Sequence, residues 1–360
     1  MTRLERLRKQ FVKQYIDSLI IVDPANIYYL TGIELMAGDG LLFVTNDLAV
    51  IITDDRYETY LDELENDQVM GLITRDYFGK LAELVGKLEV EIVGFENTLS
   101  YRDYESLDDL MPVGMVACDR IVERLRRIKD PEELNKLRQS AHVHDLGYQY
   151  VLSIIKPGMT EKKVADQLDA FMKQHGASEA SFPTILASGP NSAKPHATVS
   201  DRPIQVGDVV TLDFGYFVDH YTADMTRTFV IGQATPEIEK VYQLVNQARQ
   251  AVIDHMKAGM AGNLADQAGR SLIDLAGYGQ YFNHGMGHGI GLAVHEFPAS
   301  YGPKTKKLKL RHQEILTVEP GIYLPGKFGV RIEDDVIVSH AGVEVITKTP
   351  TDLVVVTPDA

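Results

Sequence analysis

Short apolar runs separated by turn residues fill the first third of the chain. Such β-branched runs are typical of buried strands, and they predict strands over residues 18–23, 40–45, 48–53 and 90–96. The turn residues Asn46 and Asp47 separate the second and third runs, which predicts a hairpin. Helical patterns cover residues 2–16, 55–66 and 77–87. Strands alternating with helices indicate an α/β domain.

The pattern changes around residues 121–130, where charged residues lead into a long helical segment. Asp130 suits the N-cap of this helix and Pro131 suits its first position. Glu132 and Glu133 favour the positive end of the helix dipole. We therefore place a domain boundary near residue 128, which predicts one domain over residues 1–128 and a second over 129–360.

The second domain contains two segments that resemble each other. Residues 156–159 (KPGM) are similar to residues 257–260 (KAGM), and each is followed by a helical pattern with an Ala-Asp-Gln triplet. Residues 210–215 (VTLDFG) are similar to residues 316–321 (LTVEPG). Chance similarity between turn motifs is the alternative for the shorter match. The comparable spacing of both matches indicates a duplicated supersecondary unit.

Each repeat offers a predicted strand pair that carries two carboxylates. Asp213 and Asp224 belong to the first pair, and Glu319 and Glu333 belong to the second, with Glu333 inside a predicted strand. If the repeats pack about a pseudo-twofold axis, the four carboxylates converge. Like charges at close range raise carboxyl pKa values, and bound cations relieve the repulsion.

Histidines supply a second type of metal ligand. His284, His288 and His295 lie within twelve residues in a glycine-rich segment. Carboxylates together with imidazole select Mn²⁺, Co²⁺, Zn²⁺ or Fe²⁺, and two bridged ions activate a water molecule for hydrolysis. A single histidine is more often an ordinary core or surface residue, which is the interpretation for His142, His144, His175 and His340.

Composition narrows the classes of function. Hydrophobic residues make up 44% and charged residues 24%, a globular balance. The net charge of −15 disfavours nucleic-acid and anionic-membrane partners. The single cysteine, Cys118, excludes an intrachain disulfide and a multi-thiolate metal site, so we expect a reducing, cytoplasmic location. No run approaches the roughly 18 apolar residues of a membrane span.

Four motifs together resemble one known family. The segments LDFG…YTADMTRT, FNHGMGHGIGLAVHE, TVEPGIY and VRIEDD are similar to those of the pita-bread metallopeptidases, which include Xaa-Pro dipeptidases (prolidases), Xaa-Pro aminopeptidases (aminopeptidase P) and, more distantly, methionine aminopeptidases. The resemblance covers the whole chain. It implies an α/β (α+β) fold, with a creatinase/prolidase-type N-terminal domain over 1–128 and a pseudo-twofold pita-bread catalytic domain over 129–360.

The resemblance also implies a metal centre with two divalent ions per subunit. The matching ligands are Asp213, Asp224, His288, Glu319 and Glu333. One ion is held by Asp213, Asp224 and Glu333, and the other by Asp224, His288, Glu319 and Glu333, so that Asp224 and Glu333 bridge. Mn²⁺ is the expected metal, with Co²⁺ or Zn²⁺ as alternatives.

Catalytic roles are carried over from the same resemblance. Glu319 matches the proton acceptor, and His196 matches a histidine that contacts the substrate. His284 and His295 match the pair that positions the scissile amide and stabilises the tetrahedral intermediate, and Arg331 matches an arginine that pairs with a ligand carboxylate. Two further family positions near the metals are matched by Tyr323 and Thr226.

The resemblance therefore implies a dinuclear-metal exopeptidase that cleaves between an N-terminal residue and proline. The leading hypothesis is an Xaa-Pro dipeptidase or a broad Xaa-Pro peptidase, and the alternative is an Xaa-Pro aminopeptidase acting on longer peptides. A non-catalytic binding module and a metal-free hydrolase like creatinase are disfavoured because all five ligands are retained. The resemblance further implies a homodimer in which the first domain of one subunit borders the active site of the other.

Overall fold

The computed structural model describes residues 1–64 and 66–357. The chain forms two compact units, Met1–Arg126 and Arg127–Ala360. Arg127 already belongs to the second unit, where its guanidinium forms a buried ion pair with Glu314 at 2.6 Å. Within the described residues, no helix has the length and apolar character needed to cross a membrane.

The first unit is built on a six-stranded mixed sheet. Its strands are β1 Ser18–Ile21, β2 Gly40–Thr45, β3 Ala49–Thr53, β4 Met70–Ile73, β5 Ile92–Glu96 and β6 Gly114–Cys118, and their order in the sheet is β4-β3-β2-β1-β5-β6. Strands β2 and β3 pair antiparallel, and the N–H of Thr45 donates to the carbonyl of Leu48 at 2.8 Å. All four predicted strands and the predicted hairpin are confirmed.

The helices of the first unit flank this sheet. They are α1 Arg3–Gln14, α2 Pro24–Thr31, α3 Glu58–Asp62, α4 Tyr77–Lys87, α5 Tyr101–Asp108 and α6 Glu123–Arg126. The helices predicted over 2–16 and 77–87 are confirmed as α1 and α4. Apolar side chains from the sheet and from α4 and α5 form the core, among them Ile20, Phe43, Leu81, Val93 and Leu107.

The prediction of one continuous helix over residues 55–66 is wrong. A 3₁₀ turn occupies Asp55–Tyr57, and only Glu58–Asp62 is α-helical. The side chain of Asn66 accepts a hydrogen bond from the N–H of Gln68 at 3.1 Å, so this residue begins a turn and does not continue a helix. Residue 65 lies outside the described residues.

The second unit contains four long helices and most of the strands. The helices are α7 Pro131–Ile154, α8 Glu161–Gln174, α9 Pro236–His255 and α10 Gly262–Leu275, with 3₁₀ turns at Gly189–Ala193 and Gly279–Tyr281. Helix α7 begins as predicted. Asp130 is its N-cap and forms a reciprocal capping box with Glu133, and Pro131 occupies the first turn.

Three sheets complete the second unit. The first contains β7 Ala177–Ala180, β8 Ile185–Ser188, β9 Val209–Val218, β10 Tyr221–Ile231 and, at the far end of the chain, Val354–Val356, which we number β18. The others contain β11 Gly287–Gly289, β12 Glu296–Tyr301, β13 Ile315–Val318, β14 Gly321–Leu324, β15 Phe328–Arg331, β16 Asp334–Val338 and β17 Val343–Val345, with β14 and β15 as a separate hairpin. The mixed α/β architecture predicted for the chain is confirmed.

The internal duplication is visible in the backbone. The N–H of Gly158 donates to the carbonyl of Ile204, and the N–H of Gly259 donates to the carbonyl of Leu310, both at 2.8 Å. The two glycines have φ values of +88° and +89°, a region that favours glycine. Each turn connects a long helix to a shorter one, α7 to α8 and α9 to α10. The repeat predicted from the sequence therefore reflects two halves with the same local structure.

Backbone contacts between the two halves bring the carboxylates together. On the antiparallel pair β9 and β10, Asp213 lies opposite Thr226. The N–H of Glu333 donates to the carbonyl of Thr226 at 3.0 Å, and the N–H of Asp224 donates to a carboxylate oxygen of Asp335 at 3.0 Å. The prediction that Glu333 lies inside a strand is wrong. It lies between β15 and β16, which belong to different sheets, because the chain changes partners there.

Candidate metal centre

A pocket of about 560 Å³ opens where the two halves of the second unit meet. Its walls combine carboxylates, imidazoles, one guanidinium and an apolar surface. All nine residues assigned to the site from the sequence line it: His196, Asp213, Asp224, His284, His288, His295, Glu319, Arg331 and Glu333. Tyr323 also lines the pocket. Thr226 does not line it, but the Thr226 hydroxyl donates a hydrogen bond to the carboxylate of Glu333 at 2.5 Å.

The tightest group of potential ligands is formed by Asp224, His288 and Glu333. Each contributes one ligand atom, and these atoms all lie within 4.8 Å of one another. The Nε2 atom of His288 is 3.6 Å from Oδ2 of Asp224 and 3.6 Å from Oε1 of Glu319. These separations are too long for good hydrogen bonds, so the groups face a shared space without bonding to one another.

The carboxylates at this point are buried and incompletely bonded. Among the described residues, Oδ1 of Asp213, Oδ1 of Asp224 and Oε1 of Glu333 are inaccessible to solvent and have no hydrogen-bond partner. Burial raises the pKa values of Asp224 and Glu333 well above their usual range, and repulsion from the other carboxylates raises them further. Buried carboxylate oxygens without hydrogen-bond partners are suited to binding a divalent cation. The cation would satisfy their lone pairs and offset the repulsion between the negative charges.

Glu319 lies on the same side of the pocket, directly after β13. Burial raises its pKa to about 7. The hydroxyl of Thr317 donates a hydrogen bond to its Oε1 at 3.3 Å. This carboxyl therefore exchanges its proton near neutral pH in the metal-free protein.

The backbone determines which nitrogen of His288 is available. Its Nδ1 lies 3.1 Å from the carbonyl oxygen of Gly289, and because a carbonyl only accepts, Nδ1 carries the proton. Nε2 then presents its lone pair to Asp224 and Glu319. Burial and the neighbouring His295 lower the pKa of His288 to about 3. A neutral imidazole oriented by a backbone carbonyl is the usual form of a metal-ligating histidine.

The other three histidines differ in how firmly they are held. The Nδ1 of His284 lies 2.8 Å from the carbonyl of Gly285 and its Nε2 lies 3.0 Å from the Tyr323 hydroxyl, so Tyr323 donates to Nε2 and both nitrogens are occupied. Burial lowers the pKa of His284 to about 3. By contrast, His295 and His196 have exposed side chains at the pocket wall. Their imidazoles are accessible to a ligand in the pocket.

Arg331 links several of these groups. Its Nη2 donates to Oδ2 of Asp213 at 2.6 Å, its Nη1 donates to the Tyr323 hydroxyl at 2.7 Å and its Nε donates to the Thr226 hydroxyl at 3.0 Å. The Tyr323 hydroxyl in turn donates to His284. A continuous series of hydrogen bonds therefore connects Asp213 to His284 through one guanidinium and one phenol.

Part of the pocket was not predicted from the sequence. One wall of the pocket is apolar. Its side chains come from the start of β8 and the residues just before it, from the segment after the 3₁₀ turn at Gly189–Ala193, and from the loop before His295. They are Phe182, Pro183, Ile185, Val199 and Val294. The apolar run over 185–188 is a recognisable strand signal. Nothing local shows that its first residue faces the pocket, because that depends on pairing with β9.

Comparison with known proteins agrees with this arrangement. The profile of Metallopeptidase family M24 matches residues 135–340. The profile of the Creatinase/Prolidase N-terminal domain matches residues 3–128. Together these two regions account for most of the chain.

Individual relatives match over almost their full length. An uncharacterized peptidase of Bacillus subtilis is 38% identical over 98% of this chain and 99% of its own. A solved structure described as an Xaa-Pro dipeptidase from Bacillus anthracis has a TM-score of 0.93 at 36% identity, covering 98% of this chain and 99% of its own. A solved X-Pro aminopeptidase from Thermotoga maritima has a TM-score of 0.89 at 32% identity, with 97% and 100% coverage.

The family predicted from the motifs is thus confirmed by two matching profiles and by relatives that align from end to end. The donor set described above is consistent with a family of metal-dependent peptidases. The chain belongs to metallopeptidase family M24 and carries a creatinase/prolidase N-terminal domain ahead of the metallopeptidase region.

Proposed function

We propose that this protein is a dinuclear-metal exopeptidase that hydrolyses the peptide bond between an N-terminal residue and proline. The observation that carries the proposal is the convergence of Asp213, Asp224, His288 and Glu333 in one pocket, where each of the three carboxylates has a buried oxygen without a hydrogen-bond partner. Membership of a metallopeptidase family supports the reaction class. The similarity to an Xaa-Pro dipeptidase and to an X-Pro aminopeptidase supports the choice of proline-containing substrates.

Two divalent ions per chain are part of this proposal. Asp213, Asp224 and Glu333 would hold one ion, and Asp224, His288, Glu319 and Glu333 would hold the other. When bound, divalent cations supply Lewis-acid chemistry, because they lower the pKa of a water molecule and stabilise negative charge on an oxygen. The excess of carboxylate over imidazole ligands favours Mn²⁺, with Co²⁺ and Zn²⁺ as alternatives.

The protein's own residues would manage the protons and the substrate. Glu319, which lines the pocket beside Asp224 and His288, accepts a proton from the attacking water. The exposed imidazole of His196 contacts the substrate, and His295 together with His284 positions the scissile amide and stabilises the developing oxyanion. His284, held by Tyr323, supports the same wall of the pocket.

Recognition of the substrate would combine charge and shape. The free amino terminus lies near the acidic ligands, which attract a cation. The apolar wall that includes Phe182 and Ile185 accepts the proline ring. Because proline has no backbone N–H, this wall needs no acceptor for that nitrogen, and an apolar surface is sufficient.

A second candidate, cleavage of longer Xaa-Pro peptides, is favoured by one specific observation. Among the pocket-lining residues that the structure describes, Arg331 is the one Lys or Arg side chain. Its nitrogens are already bonded to Asp213, Tyr323 and Thr226. Among these described lining residues, no lysine or arginine side chain is therefore left to pair with the free carboxylate of a dipeptide, and an aminopeptidase activity on longer substrates is consistent with the site.

One assay tests both candidates. The protein is stripped of metal with a chelator, reloaded with Mn²⁺, and given Ala-Pro, Ala-Pro-Ala and Ala-Ala-Ala at equal concentrations. We expect alanine to be released from the two proline peptides and much more slowly from Ala-Ala-Ala. A kcat/KM for Ala-Pro-Ala at least equal to that for Ala-Pro supports the aminopeptidase, and the reverse order supports the dipeptidase. Absence of turnover with Mn²⁺, Co²⁺ and Zn²⁺ contradicts the proposal.

The proposal extends to assembly and location. A homodimer and a cytoplasmic location are the expectations that accompany this family resemblance and the single cysteine, Cys118. We also retain the domain division at residue 128 as part of the proposal. Sedimentation at working concentration tests the dimer, and a mass equal to one chain contradicts it.

A further inference from the structure

The segment from Ser188 to Ser200, here called the flap segment, carries His196 to the pocket. Residues 195–199 line the pocket. The imidazole of His196 is exposed, and within residues 1–64 and 66–357 it has no hydrogen-bond partner. Its place is therefore set by the backbone of the flap segment and not by bonds to its own ring.

One buried carboxylate binds both ends of the flap segment. Glu161, the first residue of α8, is 0% exposed. Its Oε1 accepts from the N–H of Ser188 at 2.7 Å and from the Ser188 hydroxyl at 2.8 Å. Its Oε2 accepts from the N–H of Ser200 at 3.1 Å and from the Ser200 hydroxyl at 2.6 Å. Asn191, inside the flap segment, donates its side-chain amide to Oε1 at 3.1 Å.

The arrangement fixes the two ends relative to each other. Glu161 is held in place by the start of α8, where Thr160 is the N-cap. Hydrogen bonds to a carboxylate are roughly twice as strong as those between neutral groups, and the burial of Glu161 keeps water from competing for them. The Ser188 hydroxyl is further oriented by Arg202, which donates to it at 2.5 Å.

Other contacts hold the middle of the flap segment, where the Ser192 hydroxyl accepts from the N–H of Gly329 at 3.0 Å and donates to the carbonyl of Gly189 at 2.6 Å. The carbonyl of Pro195 accepts from Nη1 of Arg331 at 3.3 Å, and Ala197 packs against Ile185 and Ala187. The contacts of Pro195 and Ala197 flank His196 directly. Each is a single interaction, so the position of the His196 imidazole also depends on the fixed ends of the flap segment.

We propose that Glu161 is a positioning residue for His196. Its carboxylate clamps both ends of the flap segment and thereby places the imidazole at the pocket wall. Glu161 touches neither the substrate nor any of the proposed metal ligands. The link to catalysis rests on the proposed function, in which His196 contacts the substrate. The clamp itself does not depend on that function.

Hydrogen exchange tests the clamp without any assay of activity. In Glu161→Gln the side chain keeps its size, but one acceptor oxygen becomes an NH₂ group that faces donors. We expect backbone amides over 188–200 to exchange at least about tenfold faster than in the wild type, while those of β9 and β10 are unchanged. Glu239→Gln, at an exposed site in the first turn of α9, is the matched control and leaves 188–200 unchanged. Unchanged exchange over 188–200 in Glu161→Gln overturns the proposal.

A milder variant covers the case in which Glu161→Gln does not fold. Ser200→Ala removes one hydroxyl donor from the carboxylate and keeps the backbone bond. We expect exchange over 188–200 to increase by about threefold to tenfold. Exchange equal to that of the wild type in this folded variant likewise counts against the clamp.

A double-mutant cycle tests the link to His196. We expect Glu161→Gln to lower kcat/KM for Ala-Pro-Ala about tenfold in the wild-type background and less than about twofold in the His196→Ala background. Bound Mn²⁺ per chain should remain at the wild-type value in all four proteins. Equal losses in both backgrounds show that Glu161 acts other than through His196. If the wild type does not hydrolyse the peptide, the proposed function fails, and hydrogen exchange still decides the clamp.

Discussion

The Nη2 atom of Arg331 lies 2.6 Å from Oδ2 of Asp213, and both side chains are buried. This bond satisfies one oxygen of the carboxylate and leaves Oδ1 of Asp213 without a partner. The guanidinium thereby fixes the orientation of Asp213 while its second oxygen stays available to a cation. A charged partner of this kind also offsets part of the repulsion within the carboxylate group.

We predict that Arg331→Lys lowers kcat/KM by about tenfold to a hundredfold, because an ammonium group lacks the planar fork that reaches Asp213, Tyr323 and Thr226 together. Steady-state kinetics with saturating Mn²⁺ measures the effect. The matched control is Arg138→Lys, which alters an exposed Arg–carboxylate fork with Glu344 and should change kcat/KM less than twofold. Similar losses in the two variants would show that the geometry at Asp213 is irrelevant.

Removal of Asp224, the proposed shared ligand, should abolish metal-dependent activity. Asp224→Ala takes away a carboxylate that faces His288 and lies close to Glu333, so we expect at least a thousandfold lower kcat and a loss of bound metal. The count of metal ions per chain, measured after dialysis, checks the second point. His142→Ala, at an exposed histidine in α7, should leave both quantities near normal. An active Asp224→Ala enzyme would contradict the assignment of this residue.

Proton competition should weaken metal binding as the pH falls. Burial raises the pKa of Glu319 to about 7 and those of Asp224 and Glu333 well above their usual range. These groups must lose protons before they bind a cation, so binding releases protons and affinity falls with pH. Calorimetric titration with Mn²⁺ should show at least about a tenfold lower affinity at pH 6 than at pH 8. A Kd that does not depend on pH would indicate that these carboxylates are not the ligands.

The burial of His144 leads to a prediction about the stability of the fold that does not depend on catalysis. His144 is fully buried, its Nδ1 lies 2.7 Å from the Ser140 carbonyl, and its Nε2 accepts from the N–H of Tyr216 at 2.8 Å. Burial lowers its pKa to about 4 from 6.5. As the pH falls from 6.5 to 4, the unfolded chain gains a proton at this site that the folded protein does not, so the folded state loses roughly 3 kcal/mol of stability.

The comparison of His144→Gln with the wild type isolates this effect. The variant has no titrating group at position 144, so its stability relative to the wild type should improve by roughly 3 kcal/mol between pH 6.5 and pH 4. Urea unfolding of both proteins at each pH measures the difference. His255→Gln, at an exposed site, should show no such trend. A constant difference between His144→Gln and the wild type across this range would contradict the predicted shift.

Local patterns predicted a large part of the fold because they depend on neighbouring residues. The cap at Asp130, the paired glycine turns at Gly158 and Gly259, and the β2–β3 hairpin all follow from chemistry within a few positions. The segment over 55–66 is an exception among the local patterns. A 3₁₀ turn replaces the start of the predicted helix, and the side chain of Asn66 bonds to the backbone and begins a turn at its end.

The candidate site was predicted as a set of residues, but not as a geometry. The internal repeat predicted that four carboxylates converge, and the family resemblance implied the full ligand set. The bond from Arg331 to Asp213 and the engagement of both nitrogens of His284 depend on packing between distant strands. Glu161 gave no sequence signal beyond an acidic residue at a helix start. Its clamp on Ser188 and Ser200 depends on a loop that closes 39 residues later.

The most direct test of the central claim is a titration of the metal-free protein with Mn²⁺. Bound metal is measured together with the release of alanine from Ala-Pro and from Ala-Pro-Ala. The account predicts no turnover before metal is added, two ions bound per chain at saturation, and activity that rises with occupancy of the site. Asp224→Ala should show neither strong binding nor turnover in the same experiment. Full activity of the metal-free protein, or saturation with two ions and no cleavage of either peptide, would contradict it.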